Sequence, residues 1–215
     1  MPRPRGRPPR VEEADIVQAA LQIGLQNLTM RGLATTLGVG ASTLYYHVGS
    51  LEELRGMVRD RLLAGLQLPA PDVPWDEALL GTGRQLRGLF EAAPGLADAA
   101  LADAEWSHVL LTLHEAACAQ LRAAGFDAGA AWLAIRTVAE FVEGFVARQR
   151  ARARAGFADL ADLWPEAEHP NLVAARRALP DPDEARFEFG LTCIIRGLEG
   201  ARRPATRPAK PSGPP

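Results

Sequence analysis

The segment that most constrains the fold of this chain is 29–48. It reads T-M-R-G-L-A-T-T-L-G-V-G-A-S-T-L-Y-Y-H-V. Thr29 is a good N-cap, because its hydroxyl can accept a free backbone N–H of the first helical turn. Leu33 and Ala34 then begin one apolar helical face, which Leu37 continues. Gly38 suits the left-handed conformation that ends a helix. The segment therefore predicts a short helix that stops in a tight turn.

A second short helix is predicted directly after this turn. It begins after Gly40, and it places Leu44 and Val48 four residues apart on one buried face. The small residue Ala34 lies four residues before Gly38, where the two helix backbones must approach each other. Two short helices joined by such a turn form a helix-turn-helix, whose second helix enters the DNA major groove.

Polar and aromatic side chains remain on the outer faces of the second helix if Leu44 and Val48 point inward. Its hydroxyl groups can bond phosphate oxygens, and its rings can contact thymine methyl groups. The alternative is an amphipathic helical hairpin in which one of the two tyrosines is half-buried in a core. The candidate DNA-binding residues of this helix are Ser42, Thr43, Tyr45, Tyr46 and His47.

The whole chain is predicted to be all-α. Apolar residues recur with a helical period throughout, and the sequence contains no Asn-Gly or Asp-Gly hairpin signal. Prolines cluster at 69–74, where they end helices and mark the best domain boundary. The predicted parts are a disordered basic arm at 1–10, a three-helix helix-turn-helix domain at 11–66, a helical ligand-binding and dimerisation domain at 75–200, and a disordered tail at 201–215.

Charge is unevenly distributed along the chain, although the net charge is only −2. Residues 1–66 carry a net charge of +2, residues 67–200 carry −8, and residues 201–215 carry +4. A basic N-terminal part on an acidic body is typical of a nucleic-acid-binding domain attached to a separate body. Charge and motif therefore indicate the same function.

Composition indicates a cytoplasmic protein without a membrane partner. No apolar run is long enough for a transmembrane helix, and the N-terminus lacks the apolar core of a signal peptide. Two cysteines, Cys118 and Cys193, cannot form a disulfide framework. No catalytic motif is present, and His108 and His114 are not spaced as a helical metal pair. The sequence therefore predicts no enzymatic activity, no catalytic residue, no metal site and no cofactor.

These residues resemble the TetR family of transcriptional regulators. The segment 29–48, followed by L-E-E-L at 51–54, looks like the family's DNA-binding signature. Trp75, the Gly125-Phe126 turn, the long helix to Arg154 and the motif F-E-F-G-L-x-x-x-I-R-G-L-E at 187–199 are similar to its ligand domain. The resemblance implies a bacterial homodimer whose last two long helices form a four-helix interface. It also implies a palindromic operator on double-stranded DNA, and association with the nucleoid when the protein is bound.

The resemblance also assigns individual DNA contacts. Arg31 matches an arginine on the second helix that contacts DNA, and Thr29 matches a position that contacts phosphates or bases, as do three of the residues named above, Thr43, Tyr45 and His47. Two departures stand out. Leu51 replaces the usual lysine at the start of the fourth helix, and the stretch before Thr29 is about one helical turn shorter than usual. The arginine-rich arm can compensate by contacting phosphates or the minor groove; the alternative is a solvated leader with no role.

The effector implied by the resemblance is a small molecule other than magnesium–tetracycline. Tetracycline-binding relatives use a histidine near the end of the sixth helix, and the corresponding region 96–104 has none. The glutamate that they use on the long helix corresponds to Arg148. Bulky apolar walls with a few polar groups nevertheless suit a ligand pocket. The predicted ligand-binding residues are Trp106, His114, Trp132, Arg136, Glu140, Phe141 and Phe145.

An alternative for these residues is that most are ordinary core or dimer contacts. Gly144, Gly190 and Gly197 would permit close helix crossing in a dimer, or they reflect a chain rich in glycine and alanine. The favoured function is a sequence-specific DNA-binding regulator, a repressor that a small-molecule effector releases from its operator. The alternatives are a ligand-independent DNA-binding or activator protein, and a helical enzyme or carrier with an incidental helix-turn-helix.

Overall fold

The computed structural model of the protein describes residues 11–93, 95–96, 107–155, 165–179 and 182–202. These residues form α-helices and no β-strand, which confirms the all-α prediction. The basic arm, Trp106 and residues 203–215 of the tail lie outside the described residues. The helices are α1 (Glu13–Ile23), α2 (Met30–Leu37), α3 (Ala41–Val48), α4 (Leu51–Leu63), α5 (Trp75–Ala92), α6 (His108–Ala123), α7 (Ala128–Ala155), α8 (Pro170–Ala178) and α9 (Pro182–Leu198).

The chain divides into two compact units. The first contains the described residues up to Gln67 together with Gln85–Thr112, and the second contains Leu68–Arg84 and the described residues from Leu113 onward. The limits between the units therefore fall inside α5 and α6. The domain limits expected from the sequence stay a prediction.

The first unit is built on α1 to α4. Helix α1 packs against α2 and α4, and α3 packs against α2 and α4. A single 3₁₀ turn at Leu25–Asn27 joins α1 to the residues before α2. The core of this unit consists of fully buried aliphatic side chains from all four helices. They include Ile16, Ala20, Leu33, Leu44, Val48, Leu54 and Val58.

The second unit is built around the pairing of α7 with α9. Three valines of α7, Val138, Val142 and Val146, are buried. Phe187 and Leu191 of α9 are completely buried as well. Burial of whole aliphatic and aromatic side chains contributes roughly 1.5–3 kcal/mol for each. The surface along which α7 packs on α9, called the α7–α9 seam below, is therefore the main hydrophobic core of the unit.

The turn between α6 and α7 is fixed by an aromatic pair. The rings of Trp75 and Phe126 meet edge to face with centroids 4.9 Å apart. The guanidinium of Arg202 lies over the Trp75 ring, and its Nε donates to the carbonyl oxygen of Ala124 at 3.0 Å. The residues after α9 are thereby held against the start of α5. Among the helices that the structure describes, none is long and apolar enough to span a bilayer.

Candidate nucleic-acid interface and effector region

The turn between α2 and α3 has the geometry that its sequence predicts. The Thr29 hydroxyl accepts a hydrogen bond from the backbone N–H of Gly32 at 3.0 Å, so α2 is capped as expected. Gly38 adopts φ +67° and ψ +26°, and the N–H of Val39 donates to the carbonyl of Ala34 at 3.0 Å. This is a Schellman end, in which a left-handed residue lets the last carbonyls of a helix find partners. The predicted helix stop at Gly38 is confirmed.

The two faces of α3 differ sharply in exposure. Leu44 and Val48 are buried, as predicted, and they hold α3 against the core of the first unit. Tyr45 is 51% exposed and Tyr46 is 88% exposed, so neither tyrosine is a core residue. The Tyr46 and His47 rings meet edge to face with centroids 5.5 Å apart. An outer face of hydroxyls and aromatic rings is therefore available on this helix.

Most of the predicted DNA-binding residues are exposed on this outer face. Ser42 and His47 are exposed like the two tyrosines, whereas Thr43 is half-buried. Thr29 and Arg31 are exposed at the start of α2. The Thr29 oxygen accepts the capping bond, which leaves its O–H free to donate to a phosphate. Their roles as DNA contacts stay predictions.

The start of α4 shows what replaces the missing lysine. The Ser50 hydroxyl accepts the N–H of Glu53 at 3.0 Å and caps the helix. The first turn carries Glu52 and Glu53, and Leu51 is half-buried. Acidic residues stabilise a helix N-terminus but repel phosphate. This end of α4 is therefore capped and acidic, which stabilises the helix and disfavours a phosphate contact there.

The structure gives the predicted ligand-binding residues different neighbours. The rings of His114 and Trp132 approach to 5.3 Å between centroids. One turn further along α7, Arg136 donates to Glu140 at 2.9 Å in a partly exposed ion pair. Phe141 instead faces α9, where its ring stacks on that of Phe187 with centroids 5.8 Å apart.

Phe145 also belongs to the α7–α9 seam, since its ring meets that of Phe187 at 5.2 Å. Two phenylalanines of the predicted set therefore serve the packing of α7 on α9 in this chain. The remaining α7 residues of the set, together with His114, lie on other faces. Ligand binding by any of them stays a prediction.

The sequence analysis missed one buried polar residue of α7. Glu143 is only 8% exposed, and burial raises the pKa of its carboxyl, with Arg136 opposing this shift and Glu140 adding to it. The sequence signal was available: Glu143 lies between Val142 and Val146, on the buried part of the helical period. A charged residue in such a stretch is ordinarily assigned to the solvent face, so the pattern alone did not single it out.

The comparisons with known proteins agree on one family. The model of the tetracyclin repressor-like C-terminal domain matches residues 68–202. The class A tetracycline repressor protein from transposon 1721 (Escherichia coli) is 31% identical over 209 residues, covering 90% of this chain and 93% of the repressor. A helix-turn-helix-type transcriptional repressor from Mycobacterium tuberculosis is 28% identical over 206 residues, covering 86% and 79% of the two chains.

A solved structure has a similar fold. The crystal structure of the Streptomyces coelicolor TetR family protein ActR in complex with actinorhodin superposes with a TM-score of 0.77 at 30% identity, covering 90% of this chain and 98% of ActR. The family match spans more than half of the chain, and the similarity includes the helix-turn-helix described above. The chain therefore belongs to the TetR family of DNA-binding transcriptional regulators.

Proposed function

We propose that the protein is a homodimeric repressor that binds a palindromic operator and leaves it when a small-molecule effector binds. The observation that carries this proposal is the outer face of α3, where exposed Tyr45, Tyr46 and His47 stand beside buried Leu44 and Val48. Exposed aromatic side chains cost free energy in water unless they have a partner. A DNA groove is the partner that fits a helix-turn-helix.

The DNA contacts divide into two classes by side-chain chemistry. Tyr45 and Tyr46 are long enough to reach base edges or thymine methyls in the major groove, and Arg31 can bond a guanine edge or a phosphate. The hydroxyls of Thr29, Ser42 and Thr43 suit phosphate oxygens. His47 stands beside Tyr46 and suits either a phosphate or a base. Base contacts give sequence preference, while phosphate contacts fix the register of the helix.

Dimerisation uses the faces of α7 and α9 that the seam within the chain leaves uncovered. Phe189 on α9 is 73% exposed, and Leu133 on α7 is 64% exposed. A Cβ atom built at Gly144 or Gly197 meets no atom within 4 Å in the described chain. Small residues at such positions allow the helices of a second copy to approach closely. A dimer then presents two copies of α3 to successive major grooves, about 34 Å apart.

Two hydrogen bonds inside the first unit give effector control a physical route to the DNA-binding helices. The Gln85 side chain on α5 accepts the backbone N–H of Gln67 and donates to its carbonyl, both at 3.0 Å. The chain that leaves α4 is therefore attached to α5. A shift of α5 on effector binding moves α4, and α4 packs against α1 and α3. A preference of a few kcal/mol for the displaced state changes operator occupancy about a hundredfold.

The effector is a small organic molecule other than magnesium–tetracycline. ActR, which has the same fold, is solved with actinorhodin, and this supports an organic effector here. Arg148 is exposed on α7 at the position where tetracycline-binding relatives carry a glutamate, and its charge repels a metal ion. Such a regulator acts on DNA in the bacterial cytoplasm.

The experiment that tests the proposal is a binding titration with labelled DNA from the region beside the protein's own gene. Fluorescence anisotropy at several salt concentrations should show tight binding to a palindromic segment and much weaker binding to a scrambled duplex of the same length. Small organic compounds are then added to the complex, and release of the DNA is measured. Equal affinity for both duplexes would contradict sequence-specific repression. Specific binding that no compound reverses would favour a ligand-independent regulator.

A further inference from the structure

A surface groove of the first unit lies between α1 and α2. Its volume is about 390 Å³, and it is open to solvent on its outer side. One wall is a stripe of α1 whose members are three or four residues apart and therefore share one helical face. The last turn of α2 forms the other wall. The polar side chains that line the groove are Asp15, Gln18, Gln22 and Thr36, and Val11 is its first lining residue in the sequence.

The groove presents hydrogen-bond acceptors and one negative charge. The exposed Asp15 carboxylate forms no ion pair with the described residues, and its Oδ2 accepts only the backbone N–H of Glu12, at 3.2 Å. The Thr36 hydroxyl donates to a backbone carbonyl of its own helix at 3.1 Å, so its oxygen can still accept. The exposed Gln18 and Gln22 side chains add two amide oxygens. Such a lining suits a cation that carries several N–H donors, which is the chemistry of an arginine side chain.

The basic arm at 1–10 is the cationic segment nearest to this groove along the chain. The arm itself lies outside the described residues, and it ends next to Val11, which lines the groove. It contains four arginines, four prolines and no acidic residue. An extended chain of ten residues spans about 31 Å, whereas the stripe from Asp15 to Gln22 is about 10 Å long. An arm that turns back at Val11 is therefore long enough to reach every polar residue of the groove.

We propose that the basic arm docks in this groove in the DNA-free protein, and that DNA phosphates displace it. The arginines donate to the Asp15 carboxylate and to the neighbouring amide and hydroxyl oxygens. One exposed ion pair is weak, but the arm belongs to the same chain, so its effective concentration at the groove is about millimolar and several weak contacts act together. The arginines must leave the groove before they bind phosphates, so docking lowers the affinity for every DNA sequence alike. The inference concerns the DNA-binding unit and is independent of the effector.

Docking is measured first without DNA. A fluorophore is attached to the N-terminal amine of the full-length protein near pH 7, where the single lysine, Lys210, is protonated and unreactive. Time-resolved fluorescence anisotropy then gives the fraction of arms that rotate slowly with the whole protein. We expect a substantial slow fraction at low salt. This fraction should fall when the salt concentration is raised to about 0.5 M, because salt screens exposed charges.

Two variants with the same change in charge separate the groove from the general charge of the helix end. Asp15→Asn removes a charge inside the groove and keeps an oxygen for the backbone N–H of Glu12. Glu13→Gln removes a charge from the same first turn, but Glu13 does not line the groove. The slow fraction should fall clearly in Asp15→Asn and little in Glu13→Gln. Gln18→Glu adds a charge to the groove and should raise the slow fraction, and thermal unfolding checks that all three variants are folded.

The consequence for DNA binding is measured with a scrambled duplex, so that sequence recognition does not contribute. Asp15→Asn should bind this duplex about two- to fivefold more tightly than Glu13→Gln, which is the effect of losing one exposed ion pair. The same comparison is repeated in a protein whose four arm arginines are replaced with glutamine. There the difference between the two variants should disappear, because the groove then has no cationic arm to hold.

The proposal is overturned if Asp15→Asn and Glu13→Gln have equal slow fractions and Gln18→Glu does not raise the slow fraction. Equal affinities of Asp15→Asn and Glu13→Gln for the scrambled duplex would overturn the competition with DNA. A difference in affinity that persists without the arm arginines would mean that Asp15 acts on DNA directly. A slow fraction that rises with protein concentration would place the arm of another molecule in the groove, which contradicts docking within one chain. Operator binding and its reversal by effectors do not depend on any of these outcomes.

Discussion

At the scale of single residues, two adjacent residues of α3 differ in burial and therefore in expected role. Leu44 is buried in the core of the first unit, and Tyr45, the next residue, is half exposed on the outer face. A substitution at Leu44 therefore acts on stability, and a substitution at Tyr45 acts on DNA binding. The pair is a direct test of the orientation of the helix.

We expect Tyr45→Ala to lose operator affinity while the protein stays folded. Removing a contact to a base edge costs about 1–3 kcal/mol for each subunit of the dimer. Leu44→Ala should instead lower the free energy of unfolding by about 2–5 kcal/mol, because it creates a cavity in a packed core. Anisotropy titrations measure the first effect and urea unfolding the second. Tyr45→Ala with unchanged operator affinity would reject α3 as the recognition helix.

The buried carboxyl of Glu143 predicts a pH dependence of stability. Burial raises the pKa of this group in the folded protein above its unfolded value of about 4.3. The folded state therefore holds the proton more tightly, and its contribution to stability is full below about pH 4.3. That contribution is lost as the pH rises through the higher pKa of the folded state.

Glu143→Gln removes this titration and should gain stability relative to the parent protein as the pH rises. The measurement is urea unfolding of both proteins between pH 4.5 and pH 8, where the difference in free energy of unfolding should grow in favour of the variant. Glu115→Gln, at an exposed glutamate, serves as the control and should show no comparable trend. A constant difference across this range would mean that Glu143 is paired in solution.

At the scale of helices, one glycine determines how closely α7 and α9 approach. A Cβ atom added at Gly190 would lie 2.6 Å from Cζ of Phe141, well inside van der Waals contact. The Phe141 ring is held in turn by its stacking on Phe187. It cannot move aside without disturbing the buried seam. Gly190 is therefore required by packing, although it lies in the middle of a helix.

Gly190→Ala should destabilise the protein by about 1–3 kcal/mol through overpacking, in spite of the higher helix propensity of alanine. Gly88→Ala is the matched control, because Gly88 is exposed on α5 and a Cβ atom there meets nothing within 4 Å. That variant should be neutral or up to about 1 kcal/mol more stable. Thermal unfolding measures the stability of the two variants. Equal changes in stability at both glycines would contradict the close contact between Gly190 and Phe141.

Helix ends were more predictable from the sequence than helix contacts. The cap at Thr29 and the left-handed Gly38 depend on residues a few positions apart, so local chemistry was sufficient to predict them. Ligand binding by Phe141 and Phe145 stays a prediction, and the sequence did not show that their rings contact Phe187, more than forty residues later in the chain. Periodicity shows that a face is buried and does not show what covers it. The burial of Glu143 escaped prediction for the same reason.

At the scale of the whole molecule, the proposed dimer depends on an apolar surface of α9. Phe189 is 73% exposed in the single chain, which is unusual for a large aromatic side chain. Phe189→Lys should convert the dimer into a monomer, because it places a charge in an interface that excludes water. Analytical ultracentrifugation measures the mass, and operator affinity should fall with it.

Leu172→Lys is the control for the dimer test, since Leu172 is 49% exposed on α8, which is neither of the two helices of the proposed interface. It should leave the protein dimeric and able to bind DNA. A dimeric Phe189→Lys variant would mean that this face of α9 does not form the interface.

The basic arm belongs to the same scale, because its effect depends on the charge of the complete complex. Arg3, Arg5, Arg7 and Arg10 carry four positive charges in each subunit. The first turn of α4 is acidic and lacks the usual lysine, so the arm is the natural source of the missing phosphate contacts. Each arginine that neutralises a phosphate releases a counterion and adds about 0.9 to the slope of log affinity against log salt.

Deleting residues 1–10 should therefore weaken binding to operator and scrambled DNA alike and flatten the salt dependence. Replacing the four arginines with lysines keeps the charge and should keep the slope. If deletion instead reduced the preference for the operator and left the slope unchanged, the arm would be reading bases in the minor groove.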